Sequence, residues 1–201
     1  MLDKIIALDK QLLVYLNSLG STQFDGFWIF ITNQINWFPF FALVFFILYK
    51  KFGWKRFIIA IILLALLILV ADQTCNLFKH HFQRLRPCNT PDIMNLLRQN
   101  LPKSSSFSFY SGHATSSMAT AIFVYNISRN YHRYAIILFI FPLIFAYSRI
   151  YLGLHFPADI FVGYLFGIFF GWLFVKLFYY VSSKFTLSEL TKLESRSNRR
   201  E

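Results

Sequence analysis

Three short stretches of the chain hold the residue types that phosphate chemistry requires. In the first, Asp72, Asn76, Lys79, Gln83 and Arg86 follow one another at spacings of 4, 3, 4 and 3. On a helix that continues to Arg86 they form one polar stripe, with Lys79 and Arg86 about 10 Å apart on one face. Pro87 disfavours helix at Arg86 and ends it there. In the second stretch, Tyr110-Ser111-Gly112-His113 leads a polar loop into an apolar segment. Ser111 offers a hydroxyl, and Gly112 lets backbone N–H groups come close to a ligand. A helix starting here points its free N–H groups at an anion, and His113 titrates near neutrality. In the third, Ser148-Arg149 is followed by His155 and Asp159. His155 and Asp159 are four apart, so on a helix they share a face, and a carboxylate on one imidazole nitrogen fixes the tautomer and activates the other.

Each stretch also has a plain structural reading. The stripe can be a row of interhelical hydrogen bonds, Ser111 an N-cap, and Asp159 a carboxylate favoured by the start of a helix. Their conjunction is more specific. Lys79, Arg86 and Arg149 with N–H donors suit a dianionic phosphate. Two histidines, one oriented by a carboxylate, supply a nucleophile and a general acid. No Asp/Glu cluster is present to hold a hard metal ion, so the cations must neutralise the phosphate, and no metal or cofactor is expected.

The elements that position these residues are apolar. Of 201 residues, 56% are hydrophobic, 20% aromatic (26 Phe among them) and only 14% charged; soluble domains are nearer a quarter charged. That composition excludes a disordered chain and argues against an ordinary cytosolic enzyme. Five apolar segments, at residues 24–49, 57–70, 114–127, 134–147 and 160–181, predict an all-α integral membrane protein. The expected fold is a bundle of about five transmembrane helices. Asn33, Gln34 and Asn36 weaken the first segment, so part of it is expected as a separate short helix.

Residues 2–18 set Ile5, Leu8, Leu12, Leu13 and Leu16 near helical spacing with polar residues opposite, which predicts an amphipathic helix lying in the interface. Docking on the bundle is the competing reading. Asp3, Asp9, Lys10 and Gln11 exclude a signal peptide. Residues 1–183 are read as one membrane-embedded domain, with 1–21 as its interfacial helix, and 184–201 as a charged cytoplasmic tail.

The net charge of +11 would suggest nucleic acid on a soluble protein. Here the basic residues lie between apolar runs, and membrane topology and an anionic ligand explain them better. Lys50, Lys51, Lys55 and Arg56, then Arg129 and Arg133, then Lys184, Lys192, Arg196, Arg199 and Arg200 share one side if there are five spans. The positive-inside rule makes that side cytoplasmic, in the inner membrane, but it is only modestly satisfied, since Lys79, Arg84, Arg86, Arg98, Lys103 and Arg149 lie on the opposite side, where ligand binding is the natural explanation. The three chemical stretches then share the outer face. Cys75 and Cys88 build neither a disulfide framework nor a thiolate metal site. Gly163, Gly167 and Gly171 continue the spacing of Asp159, predicting a smooth stripe for close helix packing that holds the His155–Asp159 end rigid.

Lys79 with Arg86-Pro87, then Ser111-Gly112-His113, then Ser148-Arg149 with His155 and Asp159 together resemble the three-part signature of the type 2 phosphatidic acid phosphatase superfamily. The resemblance spans roughly residues 60–180. It implies that His155 attacks phosphorus to form a phosphohistidine and that Asp159 orients it. His113 would protonate the leaving oxygen and then activate water. Lys79, Arg86, Arg149, Ser111 and the Gly112 backbone would bind phosphate oxygens. Tyr110 departs from the family, which usually has proline there; it would either loosen the loop or add a hydroxyl near the site. The implied activity is metal-independent hydrolysis of a lipid phosphate or diphosphate. Undecaprenyl diphosphate ranks first as substrate, ahead of phosphatidylglycerol phosphate, phosphatidic acid and lipid A. A vanadate-dependent oxidase is disfavoured because such relatives are soluble. A non-catalytic lipid-binding or transport protein is disfavoured because binding needs no His–Asp pair.

Overall fold

The computed structural model describes residues 2–99, 101–129 and 133–197, and among these there are helices and no strands. The described residues form six α-helices: α1 Leu2–Ser18, α2 Asp25–Thr32, α3 Phe38–Phe82, α4 Gly112–Ser128, α5 Ile140–Tyr151 and α6 Pro157–Ser197. Short 3-10 turns fill in at Gln34–Trp37 and Arg133–Phe139. The first apolar segment is indeed divided. Asn33 leaves the helical region, its side chain accepts from the Ile35 N–H, and α2 stops there. By length and composition Gln34–Asn89 and Pro157–Phe185 can each cross a bilayer, and Ala135–Tyr151 is a shorter apolar helix. Helix α6 runs to Ser197, so the fifth segment enters the charged tail without a break; Arg199 and Arg200 lie outside the described residues.

Helix α3 is two arms joined at Gly53, where φ is 70° and ψ is 169°. That left-handed φ favours glycine. Phe38 and Ile68 line one cavity with Phe41, Phe45 and Leu64. In an unbroken helix residues 38 and 68 would stand about 45 Å apart, so the arms fold back on each other. The turn carries Lys50, Lys51, Lys55 and Arg56. Near it, Leu48 and Phe52 pack with Phe178, far along α6. The basic turn therefore lies at the end of the bundle opposite the start of α6.

The most extensive pairing is α4 against α6. A Cβ added at Gly163 would stand 2.7 Å from the Ser111 carbonyl oxygen. One at Gly167 would stand 2.7 Å from the Thr115 oxygen, and one at Gly171 2.8 Å from the Ile122 Cβ. The stripe anticipated from the sequence is the seam of the bundle, and it carries the start of α4 onto the start of α6.

Helix α1 has the expected bounds and docks on the bundle, the competing reading. Its apolar Ile5, Leu8 and Leu12 face outward, while Asp9, Leu13 and Asn17 are buried against the bundle. The Asn17 side-chain amide donates to the carbonyls of Ile150 and Tyr151, closing the end of α5.

Gly163→Ala should lower stability by about 1–3 kcal/mol, because the new methyl meets backbone across the seam. Gly26→Ala, which meets nothing within 4 Å, should leave the melting temperature in detergent unchanged. Equal melting temperatures for the two variants would refute the seam.

Candidate active site

The site forms where α3, α4, α5 and α6 bring their ends together. Helix α3 ends at Phe82 because Gln83 takes φ 47°. Arg86 therefore does not extend the Lys79 stripe, as the spacing had suggested, but sits on the loop beyond it. The guanidinium is buried, with Nε donating to the Ser106 carbonyl at 2.9 Å and Nη2 to Ser106 Oγ at 2.8 Å. Nη1 donates to the Leu154 carbonyl at 3.0 Å and lies 3.3 Å from His155 Nε2.

Between α5 and α6 the chain turns within five residues. The N–H groups of Leu154 and His155 both reach the Arg149 carbonyl, at 2.9 and 3.3 Å. That turn puts Arg149 and His155 side by side. Arg149 is buried, and its Nη1 donates to Thr32 Oγ1 at 2.7 Å, while its Nε has no hydrogen-bond partner. His155 is 1% exposed. Arginine can only donate, so Nε2 facing Arg86 must be an acceptor and the imidazole proton sits on Nδ1. Nδ1 is 3.5 Å from Asp159 Oδ2 and makes no hydrogen bond. The lone pair of Nε2 is thus turned toward the cationic end of the site.

Asp159 is fully buried at the third position of α6. Oδ2 accepts from the Phe156 N–H at 3.0 Å, half of a capping box. Oδ1 accepts from Arg84 Nη1 at 2.7 Å. The helix-start role and the histidine-facing role coexist in one carboxylate.

Ser111 is the N-cap of α4: its Oγ accepts from the Ala114 N–H at 3.4 Å, and its own N–H donates to the Asp159 carbonyl at 3.0 Å. The next two N–H groups, of Gly112 and His113, begin the helix and have no intrahelical acceptor. His113 stacks on Phe145 with ring centroids 4.9 Å apart and feels the charges of Arg149, His155, Lys79 and Arg86. Lys79 lies one turn beyond Cys75, whose Sγ donates to the Tyr110 carbonyl. Tyr110 itself neither loosens the loop nor reaches the site with a polar contact. Its ring is fully buried, stacked 4.5 Å from Phe166, and its hydroxyl is unpartnered.

Sequence reasoning gave no site role to Asp9, Ser106 or Thr32, and counted Arg84 only among the cations of the outer side. Arg84 Nη2 donates to Asp9 Oδ2 at 2.7 Å, and Asp9 Oδ1 accepts from the Ala158 N–H at 2.9 Å. The available signal for Arg84 was a cation two residues before Arg86, off the 3–4 stripe. Among the described residues no group of three His, Cys, Asp or Glu side chains gathers where it could hold a metal ion.

Beside His113 a cavity of about 460 Å³ opens between the two α3 arms, α4 and α5. Trp37, Phe41, Phe45, Leu64 and Phe141 are among its lining residues, and so is Phe145, which stacks on the histidine.

The family model of the PAP2 superfamily matches residues 58–183. The chain is 34% identical over 191 residues to a lipid A 4'-phosphatase of Bacteroides thetaiotaomicron, covering 92% of this chain and 82% of that protein. A lipid A 4'-phosphatase of Porphyromonas gingivalis is 31% identical over 187 residues, covering 91% and 78%. Among solved structures, LpxE of Aquifex aeolicus is 30% identical with a TM-score of 0.56, over 83% of this chain and 93% of that one. The PAP2-type phosphatidylglycerolphosphate phosphatase of Bacillus subtilis shares the fold at 18% identity, TM-score 0.66, over 90% and 87%.

Burial pushes the His155 pKa down to about 3; Asp159 opposes this, and the Arg86 and Arg149 charges add to it. The folded imidazole is then neutral across the working range. Between about pH 6.5 and the lowered value only the unfolded chain takes the proton, so acid weakens the fold through this residue. Nitrogen-15 NMR of labelled histidine should show the His155 signals unmoved from about pH 8 to about pH 5. A midpoint near 6.5 would contradict the burial argument.

Proposed function

The chain belongs to the PAP2 superfamily and is a phosphate-ester hydrolase acting on membrane lipids, and from that premise we propose that its substrate is lipid A, from which it removes the 4'-phosphate. The observation that carries the proposal is the likeness to two lipid A 4'-phosphatases over nine tenths of the chain. It moves lipid A ahead of undecaprenyl diphosphate, the substrate ranked first from the sequence. The apolar cavity beside His113 supports a lipid substrate arriving sideways from the bilayer, its chain against Phe41, Phe45 and Phe141.

In the proposed reaction the Nε2 lone pair of His155 attacks phosphorus. The P–O bond to the sugar breaks, and His113, protonated once the phosphate dianion offsets the nearby cations, gives its proton to the leaving oxygen. His155 becomes a phosphohistidine, its positive charge met by Asp159 across Nδ1–H. His113, now neutral, takes a proton from water; the hydroxide attacks phosphorus, the P–N bond breaks, and inorganic phosphate leaves. Arg86, Arg149 and Lys79 hold the phosphate oxygens, with the N–H groups of Gly112 and His113 and the hydroxyl of Ser111. Donors fixed before the reaction stabilise the developing charge without reorganising. The cationic donor set serves this chemistry without a metal ion.

The proposed setting is a five-pass arrangement with α1 in the interface. The α2 helix with the first α3 arm, the second arm, α4, α5 and α6 form the passes. The basic turn at Gly53 is cytoplasmic, as is the tail from residue 184, and the catalytic end faces outward.

Purified protein in detergent with EDTA should release phosphate from lipid A faster than from undecaprenyl diphosphate, phosphatidylglycerol phosphate or phosphatidic acid. A faster reaction with undecaprenyl diphosphate would restore the earlier ranking, and activity lost to EDTA and regained with Mg²⁺ would sink the mechanism. Rapid-quench trapping separates the histidines. His155→Ala should trap no phosphohistidine from any substrate. His113→Ala should slow the reaction by roughly 10²–10⁴-fold, and less for an aryl phosphate that needs no proton on leaving. Trapping in His155→Ala but not in His113→Ala would reverse the assignment.

A further inference from the structure

We propose that Arg84 is a positioning residue of the phosphoryl transfer, seated between Asp9 and Asp159 so that the Asp159 carboxylate keeps one oxygen turned to His155. Through Asp9, helix α1 becomes part of the active site. The proposal rests on the reading of His155 as nucleophile.

The geometry divides the Asp159 carboxylate cleanly. Oδ1 is taken by Arg84, and Oδ2 by the Phe156 N–H with His155 Nδ1 next to it. A carboxylate rotates about one bond, so fixing Oδ1 fixes Oδ2. Arg84 can do this because it is itself held at several points. Its guanidinium lies over the Phe156 ring at 3.9 Å, and its second nitrogen, Nη2, is bound to Asp9. Its own carbonyl accepts from the Ser108 N–H at 2.8 Å. The planar fork reaches two carboxylates on two helices, which a single ammonium cannot do.

Arg84 is not a further phosphate ligand. One nitrogen serves each carboxylate, and the Asp9–Arg84–Asp159 group carries a net negative charge that repels phosphate. Asp9 has a distinct part. Facing Asp159 alone, Arg84 would neutralise it; shared with Asp9, it leaves negative charge beside His155, where the imidazole becomes positive on attack. Helix α1 is anchored for the task at both ends of the turn that carries Arg149 and His155. Asp9 caps the start of α6 through the Ala158 N–H, and Asn17 closes α5 through the carbonyls of Ile150 and Tyr151.

The test compares wild type, Arg84→Gln, Arg84→Lys, Asp159→Asn and the Arg84→Gln/Asp159→Asn double variant, each checked for its melting temperature in detergent. Phosphohistidine formation is followed by rapid quench and steady-state kinetics are run with an aryl phosphate. Arg84→Gln should slow phosphorylation by about 10²-fold, the scale of a misplaced reacting group. KM should stay within about twofold, since the loss is confined to the transition state. Arg84→Lys, which keeps the charge but not the fork, should recover part of the rate. The double variant should be no slower than Asp159→Asn. Wild-type kcat in Arg84→Gln overturns the proposal, as does a raised KM with unchanged kcat, which would mark a phosphate ligand. Losses that multiply in the double variant overturn it too, since Arg84 would then act independently of Asp159. If Arg84→Gln does not accumulate, Arg84→Lys with and without Asp159→Asn carries the same comparison. If Asp159→Asn phosphorylates at the wild-type rate, the His155 reading fails first and takes the proposal with it.

Discussion

Asp159 is charged and has no exposure to solvent, and an ion removed from water costs several kcal/mol unless geometry and hydrogen bonds compensate. Much of the catalytic end can be understood as that compensation. The Phe156 N–H serves one oxygen and Arg84 the other. Arg84 is a cation in a half-buried setting and takes a second carboxylate from Asp9. Asp9 is nearly buried and takes the Ala158 N–H at the start of α6. One carboxylate placed beside a histidine therefore commits three segments of chain that are far apart in sequence. Their shared hydrogen bonds make the end of the bundle stiff where chemistry needs it.

That stiffness reaches the other histidine through the glycine seam. With no Cβ at residues 163, 167 and 171, the backbone of α6 touches the backbone of α4, and the Ser111 N–H binds the Asp159 carbonyl at the top of the seam. The spacing between the first turns of the two helices is set by backbone contact, not by adaptable side chains. His113 is two residues on from Ser111, and Phe145 holds its ring by stacking. A seam built from van der Waals contact suits a bilayer, where apolar burial between helices adds little driving force.

What could be read in the sequence, and what could not, divides by range. Periodic features were legible: the bounds of α1, the apolar cores of α4, α5 and α6, and the seam at every fourth residue. Spacing also grouped His155 with Asp159 and placed Arg149 near them, because the turn joining α5 to α6 is short. Arg86 does lie beside His155, but not as part of a helical stripe, since Gln83 ends the helix four residues before the proline. Nothing in the spacing marks Gln83 as the left-handed residue. The pairings of Arg84 with Asp9 and of Arg149 with Thr32 span 75 and 117 residues. Such contacts follow from tertiary packing, and Asp9 sits on an amphipathic helix whose polar side looks like a solvated face until α1 is docked.

The two remaining guanidiniums differ from Arg84 in one respect that bears on function. Arg86 and Arg149 are buried at 5% and 9% exposure, and among the described residues their hydrogen bonds run to carbonyls, hydroxyls and the His155 ring, with no carboxylate partner. Arg84, by contrast, has two carboxylates. Neutral acceptors hold a guanidinium in place but leave its charge standing. Two such charges near each other repel, and the fold bears that repulsion as long as Ser106, Leu154 and Thr32 keep the forks apart and aimed. A dianion between them removes the repulsion and uses donors already oriented, so the binding site is preorganised by the same bonds that prevent its collapse. The separation of tasks is thus chemical. In the proposed reaction the arginine that carries carboxylates would hold the Asp159 side of His155, and the arginines without them would meet the phosphate on the other.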